Sequence, residues 1–483
     1  MMSLNNLTPS PPLMRDKQGQ NWPARKIKHA CSSRTLNKRL LPGKSSMSGG
    51  SLMLIAVLCL LFSSCATQIS GKKVGRMIER SAILRDHFTG FALFDVQSNR
   101  MVFEKNSALH FIPASNTKLF TFYTCLNVLG DSIPGIRYVT RNDSLIFWGT
   151  GDPSLLHTYL KSDRIFNFFK TSNKKLFYSP DNYSGDVFGR GWPLDNYNDY
   201  YQAEITDLPL EDNVAVVRRR ADGSLSISPR IFQSSLRKDG SFRPETFTVK
   251  RQVEDNVFIY PGGEIPDGFK QEIPWKTSPA LTASLLQDTL KRSVGLVHLR
   301  MPKAASTLYS IPADSVYKRM LQVSDNFLAE QLLLVCSSKL YGALSTDSVI
   351  NYSASRYLSD LPDPIQWVDG SGLSRHNLFT PRSIVKLLVK IKQKVGDEEK
   401  LHDFLPAGGM SGTLRLAYKT DEGKPFVWAK TGSLSNNHNQ SGYLITRKGR
   451  HLVFSFMNNN YVRPTSEVRS EMVRIMTDIH NQF

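Results

Sequence analysis

Three short polar motifs follow one another along this 483-residue chain: Ser115-Asn116-Thr117-Lys118, then Ser324-Asp325-Asn326, then Lys430-Thr431-Gly432. Residues of these types can carry acyl transfer through a serine. A serine hydroxyl is a poor nucleophile until a neighbouring base takes its proton. Residues three apart on a helix share a face, so Lys118 can reach the hydroxyl of Ser115. Lysine becomes a base near neutral pH only when desolvation or a second cation depresses its pKa. Lys430 is the candidate second cation.

Each motif is weak alone. Ser-x-x-Lys also occurs at Ser70, Ser172, Ser235, Ser315 and Ser383, and Ser-x-Asn at Ser3 and Ser435. Any one of these is most simply a chance pairing on a solvated helix or loop. Ser324-Asp325-Asn326 opens an apolar helical run (Phe327, Leu328, Leu332, Leu333, Val335), and by itself it reads as an N-cap. Order and context lift the set. The gap between Ser115 and Ser324 is 209 residues, room for an inserted domain, and the gap to Lys430 is a further 106.

The elements that must position these residues can be read next. Pro113 precedes Ser115, and Leu119, Phe122 and Leu126 recur at helical spacing before Gly130 offers a stop. Phe426-Val427-Trp428-Ala429 reads as a buried strand running into Lys430, with a hairpin after it at 442–446 and 452–456. Glycine after Lys-Thr would let a substrate backbone lie along the strand edge, as in β-strand addition. Near the other end, 91–94 and 101–103 flank a Gln97–Arg100 turn. Helical patterns lie outside both hairpins, at 73–85 and along Val468, Met472, Ile475, Met476 and Ile479. Two hairpins with terminal helices predict an α+β fold: one antiparallel sheet covered by helices. Between about 136 and 276, short alternating segments among Gly, Pro and Asp turns predict a β-rich insertion. The catalytic domain is then split into 66–135 and 277–483.

These residues resemble the class C low-molecular-mass penicillin-binding proteins, the D-alanyl-D-alanine carboxypeptidase/endopeptidase family typified by penicillin-binding protein 4. Ser-x-x-Lys, Ser-x-Asn and Lys-Thr-Gly in this order are the marks of the penicillin-recognising serine enzymes. Gly149-Thr150-Gly151-Asp152-Pro153, Gly191-Trp192-Pro193, the block Asp369–Arg375 with Asn377, and Gly412-Thr413-Leu414 extend the resemblance to about 75–483. It departs after Ser435, where Asn436-Asn437-His438-Asn439-Gln440 replaces small apolar residues. The following strand is therefore expected to start late or to bulge. An acidic residue of the inserted domain often reaches the substrate in this family, and Asp181 is the candidate here.

The resemblance implies a transpeptidase/β-lactamase-like fold and a DD-peptidase of peptidoglycan stem peptides. Ser115 would attack the D-Ala–D-Ala carbonyl, with Lys118 as base. Ser324 and Lys430 would relay the proton to the leaving amine, and Asn326 would hold the substrate amide. The backbone N–H groups of Ser115 and Ser433 would form the oxyanion hole, beside Gly432. Thr431 and Ser433 would bind the terminal carboxylate. No metal or organic cofactor is required, and β-lactams would acylate Ser115. One rival is a β-lactamase of the same superfamily, but no Glu-x-x-Leu-Asn follows Ser324. The other is a non-catalytic, lipid-anchored peptidoglycan binder or sensor, which the intact Ser115, Lys118 and Lys430 oppose.

The first 65 residues stand apart. Residues 1–46 are polar and basic, and Leu52–Phe62 is an apolar run too short to span a membrane comfortably. Small residues leading to Cys65 look like a bacterial lipoprotein signal, with Met47 as a conventional start and Cys65 lipidated. The expected location is the periplasmic side of the cell envelope, held to a membrane by that lipid. Nine cations and one anion fall in 1–65, so the formal charge of +19 becomes +11 without them. A basic protein suits an acidic envelope polymer or membrane surface. No zinc finger or recognition-helix pattern supports nucleic-acid binding. Cys125 and Cys336 sit in apolar helical runs and read as buried core thiols. No histidine spacing suggests a metal site.

Overall fold

A computed structural model describes residues 69–483, with the exception of 421. The leader, with Met47 and the lipidation candidate Cys65, lies outside the described residues. No helix among the described residues is long and apolar enough to cross a membrane.

The two hairpins merge into one antiparallel sheet. Its strand order is Val427–Leu434, Asn437–Ile445, His451–Asn459, Phe88–Asp95 and Arg100–Lys105. The two hairpins meet where Phe91 lies opposite Phe456 and Phe88 opposite Asn459. Successive side chains point to opposite faces of a strand. Accordingly Phe91, Leu93, Leu452, Phe454 and Phe456 enter one core, under helices Gly71–Glu79 and Thr465–Gln482. Ala92, Val453 and Met457 enter the other, with helices Lys118–Val128, Asn326–Tyr341 and Pro381–Val395. That second core holds the helices carrying the first two motifs, so the sheet and the motif helices are fixed to each other by packing.

A separate apolar cluster gathers residues from Ile136 to Val294. Its five-stranded sheet runs Val294–Leu296, Lys175–Tyr178, Ser144–Gly149, Ser132–Arg141 and Ser306–Pro312. Two three-stranded sheets lie within 214–274. This β-rich portion reaches beyond residue 276. Leu285, Leu286 and Leu290 of helix Pro279–Leu290 pack into its core. Strand Ser306–Pro312 pairs with Ser132–Arg141. An apolar helix face must be covered, but its spacing does not say by which sheet.

The strand after Lys-Thr-Gly differs from expectation. It begins at Asn437, with only Ser435 and Asn436 between it and Leu434, and pairs without a bulge from Leu434↔Asn437 to Val427↔Leu444. Asn436 takes the turn with φ of 67°, a left-handed conformation that asparagine tolerates. The polar run Asn437–Gln440 is buried in the sheet because its side chains find partners. Asn439, for instance, donates to Ile112 O at 3.0 Å and accepts from the Asn458 amide at 3.1 Å.

Candidate active site

Ser115 lies on a short 3-10 turn, Ala114–Thr117, that feeds the α-helix beginning at Lys118. Ala114 enters this turn with φ of 48°, a strained value for a residue with a Cβ. The turn brings Lys118 Nζ to 2.9 Å from Ser115 Oγ. The amine also reaches Asn326 Oδ1 at 2.7 Å and the Ser371 carbonyl at 2.8 Å. These last two partners can only accept. A neutral amine has two N–H groups, and both are thereby taken. Its lone pair is left facing Ser115, the geometry a general base needs.

Lys118 is fully buried, and its pKa falls from 10.5 to about 8 because burial penalises the charge. Glu330, Asp369 and Asp325 oppose that shift. Desolvation thus does what a second cation was expected to do. The influence runs the other way as well: burial and then the charge of Lys118 hold Lys430 well below its ordinary value. Lys430 Nζ donates to Ser324 Oγ at 2.8 Å and to the Thr431 carbonyl at 2.6 Å.

Ser324-Asp325-Asn326 serves both readings. Asp325 caps the helix Asn326–Tyr341, its carboxylate accepting from the Leu328 amide at 3.1 Å. Ser324, just outside the helix, has φ of 62° and lines the cleft. Asn326 accepts from Lys118 and donates to the Tyr201 carbonyl at 3.0 Å.

The block 369–377 is a support for Lys118. Buried Asp369 accepts from the amides of Gly372 and Ser374, from Asn377 Nδ2 and from Trp192 Nε1, at 2.6–3.0 Å. Glu330 accepts from the amides of Gly370 and Ser371 at 2.8 and 2.7 Å. Together they fix the Ser371 carbonyl that holds the amine. Gly372 is required twice over: φ is 83°, and a Cβ there would lie 1.9 Å from the Ala114 carbonyl. Gly432 has a use beyond the one read in sequence. A Cβ on it would lie 2.6 Å from the Pro113 carbonyl and 2.8 Å from the Ser115 nitrogen. The missing side chain lets the Lys430 strand close on the Ser115 turn itself.

A cleft of about 220 Å³ is lined by Ser115, Ser324, Thr413, Thr431, Ser433 and His438, among others. No carboxylate lines it among the described residues. The structure therefore gathers Ser115, Lys118, Ser324, Asn326, Lys430, Thr431, Gly432 and Ser433 in one place. It does not bring Asp181 there. That residue meets His298 at 2.8 Å and lines another groove, with Arg137, Arg300 and Lys339. Sequence reading missed Glu330, whose one signal was a lone acid in an apolar helix. It read His438, near the third motif, as a satisfied or solvated histidine; the ring is buried and lies 2.7 Å from Ser433 Oγ.

With this geometry in view, comparison with known proteins is specific. The sequence matches the family described as D-Ala-D-Ala carboxypeptidase 3 (S13) over residues 71–479. The D-alanyl-D-alanine carboxypeptidase DacB of Haemophilus influenzae is 24% identical over 448 residues, covering 82% of this chain and 90% of that protein. The D-alanyl-D-alanine carboxypeptidase of an Actinomadura strain is 25% identical over 439 residues, covering 78% of each. The crystal structure of penicillin-binding protein 4 from H. influenzae has the same fold, with a TM-score of 0.67 at 20% identity, covering 85% of this chain and 98% of that one. The same protein complexed with a β-lactam gives 0.63 at 20% identity, covering 85% and 99%. The chain belongs to the D-Ala-D-Ala carboxypeptidase 3 (S13) family and is a serine-type D-Ala-D-Ala carboxypeptidase of the penicillin-binding protein 4 type.

Proposed function

We propose that Ser115 is the nucleophile and that it carries the acyl group of a peptidoglycan stem peptide during turnover. Lys118 takes the Ser115 proton as the hydroxyl attacks the penultimate D-Ala carbonyl. The oxyanion forms between the backbone N–H groups of Ser115 and Ser433, each donor contributing about 3 kcal/mol in sites of this kind. Lys430 and Ser324 deliver a proton to the departing D-Ala amine, and water then hydrolyses the ester. Asn326 orients the substrate amide, and Thr431, Gly432 and Ser433 receive its C-terminal end. The observation that carries this reading is the three-partner setting of Lys118 Nζ, which leaves its lone pair for Ser115.

β-Lactams present a similar acyl group and acylate the same hydroxyl. The bound β-lactam in the related Haemophilus structure supports this. The absence of a carboxylate among the described residues of the cleft favours a long-lived acyl-enzyme over β-lactamase turnover. The same reading covers cross-bridge endopeptidase cleavage, with the enzyme in the envelope and Cys65 as its lipid anchor.

Release of D-Ala from an acyl-D-Ala-D-Ala peptide tests it. Release by wild type and none by Ser115→Ala is the expected pair. Equal release by both proteins would overturn the assignment of the nucleophile.

A further inference from the structure

In the stretch that departs from the family, Asn436–Gln440, two side chains continue a line of polar groups that runs from Tyr418 to Ser433 in the wall of the cleft. Tyr418 Oη donates to Gln440 Oε1 at 2.7 Å. Gln440 Nε2 lies 3.4 Å from His438 Nε2, and His438 Nδ1 lies 2.7 Å from Ser433 Oγ. Tyr418, His438 and Gln440 are all buried. Arg469, on the exposed side of helix Thr465–Gln482, lines the same cleft as Ser433 and His438. It makes no ion pair among the described residues.

We propose that His438 and Gln440 are positioning residues that fix Ser433 as a hydrogen-bond donor towards the substrate's C-terminal carboxylate, and that Arg469 is a further contact of that carboxylate. This rests on the reading that Ser115 acylates on acyl-D-Ala-D-Ala substrates. The direction of the line follows from its buried end. Tyr418 keeps its proton, because burial raises its pKa, and it gives that proton to Gln440 Oε1. The Gln440 amide nitrogen must then face His438 and donate to Nε2. An imidazole that accepts at Nε2 carries its hydrogen on Nδ1, provided the ring is neutral. Burial, Arg469 and Lys430 keep it so, lowering its pKa to about 3. Nδ1–H therefore donates to Ser433 Oγ. That lone pair is then occupied, and the hydroxyl hydrogen of Ser433 is turned away from the ring. A carboxylate is the partner that accepts from a hydroxyl and attracts a guanidinium together. His438 is thus a positioning residue that acts through Ser433.

The test compares two matched thiolester substrates, one with a carboxylate on the leaving group and one with a neutral carboxamide. For His438→Leu, kcat/KM on the carboxylate substrate falls by about tenfold or more, the cost of one hydrogen bond to a charged group. The carboxamide substrate changes by less than about threefold. His438→Asn keeps an N–H where Nδ1 stood and restores most of the loss. Gln440→Glu is near-isosteric but can only accept at that end. The carboxylate holds a hydrogen on Nε2, so the selective loss is reproduced at pH values where the ring stays neutral, with recovery at lower pH as a second proton returns to Nδ1. Arg469→Gln also loses on the carboxylate substrate alone, with a weaker salt dependence than wild type shows. Equal losses on both substrates, or no rescue by asparagine, would overturn the proposal and leave His438 a packing residue. Turnover of neither substrate by wild type would instead overturn the acyl-enzyme reading on which it rests.

Discussion

Lys118 Nζ and Asn326 Oδ1 are 2.7 Å apart although their residues are separated by 208 positions. This contact ties the helix that begins at Lys118 to the second motif. It is also one of the two obligate acceptors that leave the amine's lone pair to Ser115. Its chemistry yields a direct expectation about pH.

In the proposed mechanism, acylation needs the free amine of Lys118. The amine pKa is about 8, so the free form grows as pH rises towards that value. Acylation by a penicillin should climb about tenfold per pH unit below it and level off above. Asn326→Asp puts a negative charge beside the amine and raises its pKa. The midpoint of the profile should move up by roughly one to three pH units. Stopped-flow labelling across pH reads the midpoint separately from the amplitude; an unmoved midpoint would exclude Lys118 as the titrating base.

Gly432→Ala tests how closely the strand must meet the nucleophile turn. The new methyl would lie within 3.0 Å of backbone atoms of Pro113, Ser115 and Asn116. The turn has to shift, and misplacement on the ångström scale costs about 100-fold in rate. The expected result is slow acylation with an unfolding midpoint close to wild type, measured on the same preparation.

Glu330 gives a prediction about stability. Burial, and then Asp369, raise its pKa from 4.5 to about 8. The folded state therefore binds more protons than the unfolded state between those values. Stability contributed by this group is full below about 4.5 and declines as pH rises through 8. Glu330→Gln removes that slope. It also turns an amide towards the backbone N–H groups of Gly370 or Ser371, which should cost about 1–3 kcal/mol. Denaturant unfolding of both proteins at pH 5 and pH 8 checks the two effects, the gap between the proteins being wider at pH 5.

Much of this site was legible because its chemistry is written in short motifs. Ser115 and Lys118 lie three apart, and the apolar strand before Lys430 marks its position. The hairpins were legible from their alternation, and the sheet followed from having one at each end. Other features depend on contacts that no local pattern carries. Cys125 and Cys336 approach to 3.7 Å because their helices pack together, yet 211 residues separate them. Polar Asn436–Gln440 was expected to delay the following strand or to make it bulge. Asn437–Gln440 is instead buried strand, made tolerable by partners from Tyr418, Ile112 and Asn458. The reach of the β-rich portion to residue 312 was hidden for the same reason. A helix or strand announces that it needs a partner, but not which one.

The central claim is that Ser115, activated by Lys118, becomes covalently acylated. Its most direct measurement is the intact mass of the protein after incubation with penicillin, followed by mapping of the modified peptide. The account predicts one added penicilloyl group, located on Ser115, absent in Ser115→Ala and formed about 1,000-fold more slowly in Lys118→Ala. A wild-type protein that stays unmodified, or one modified at another residue, would contradict it.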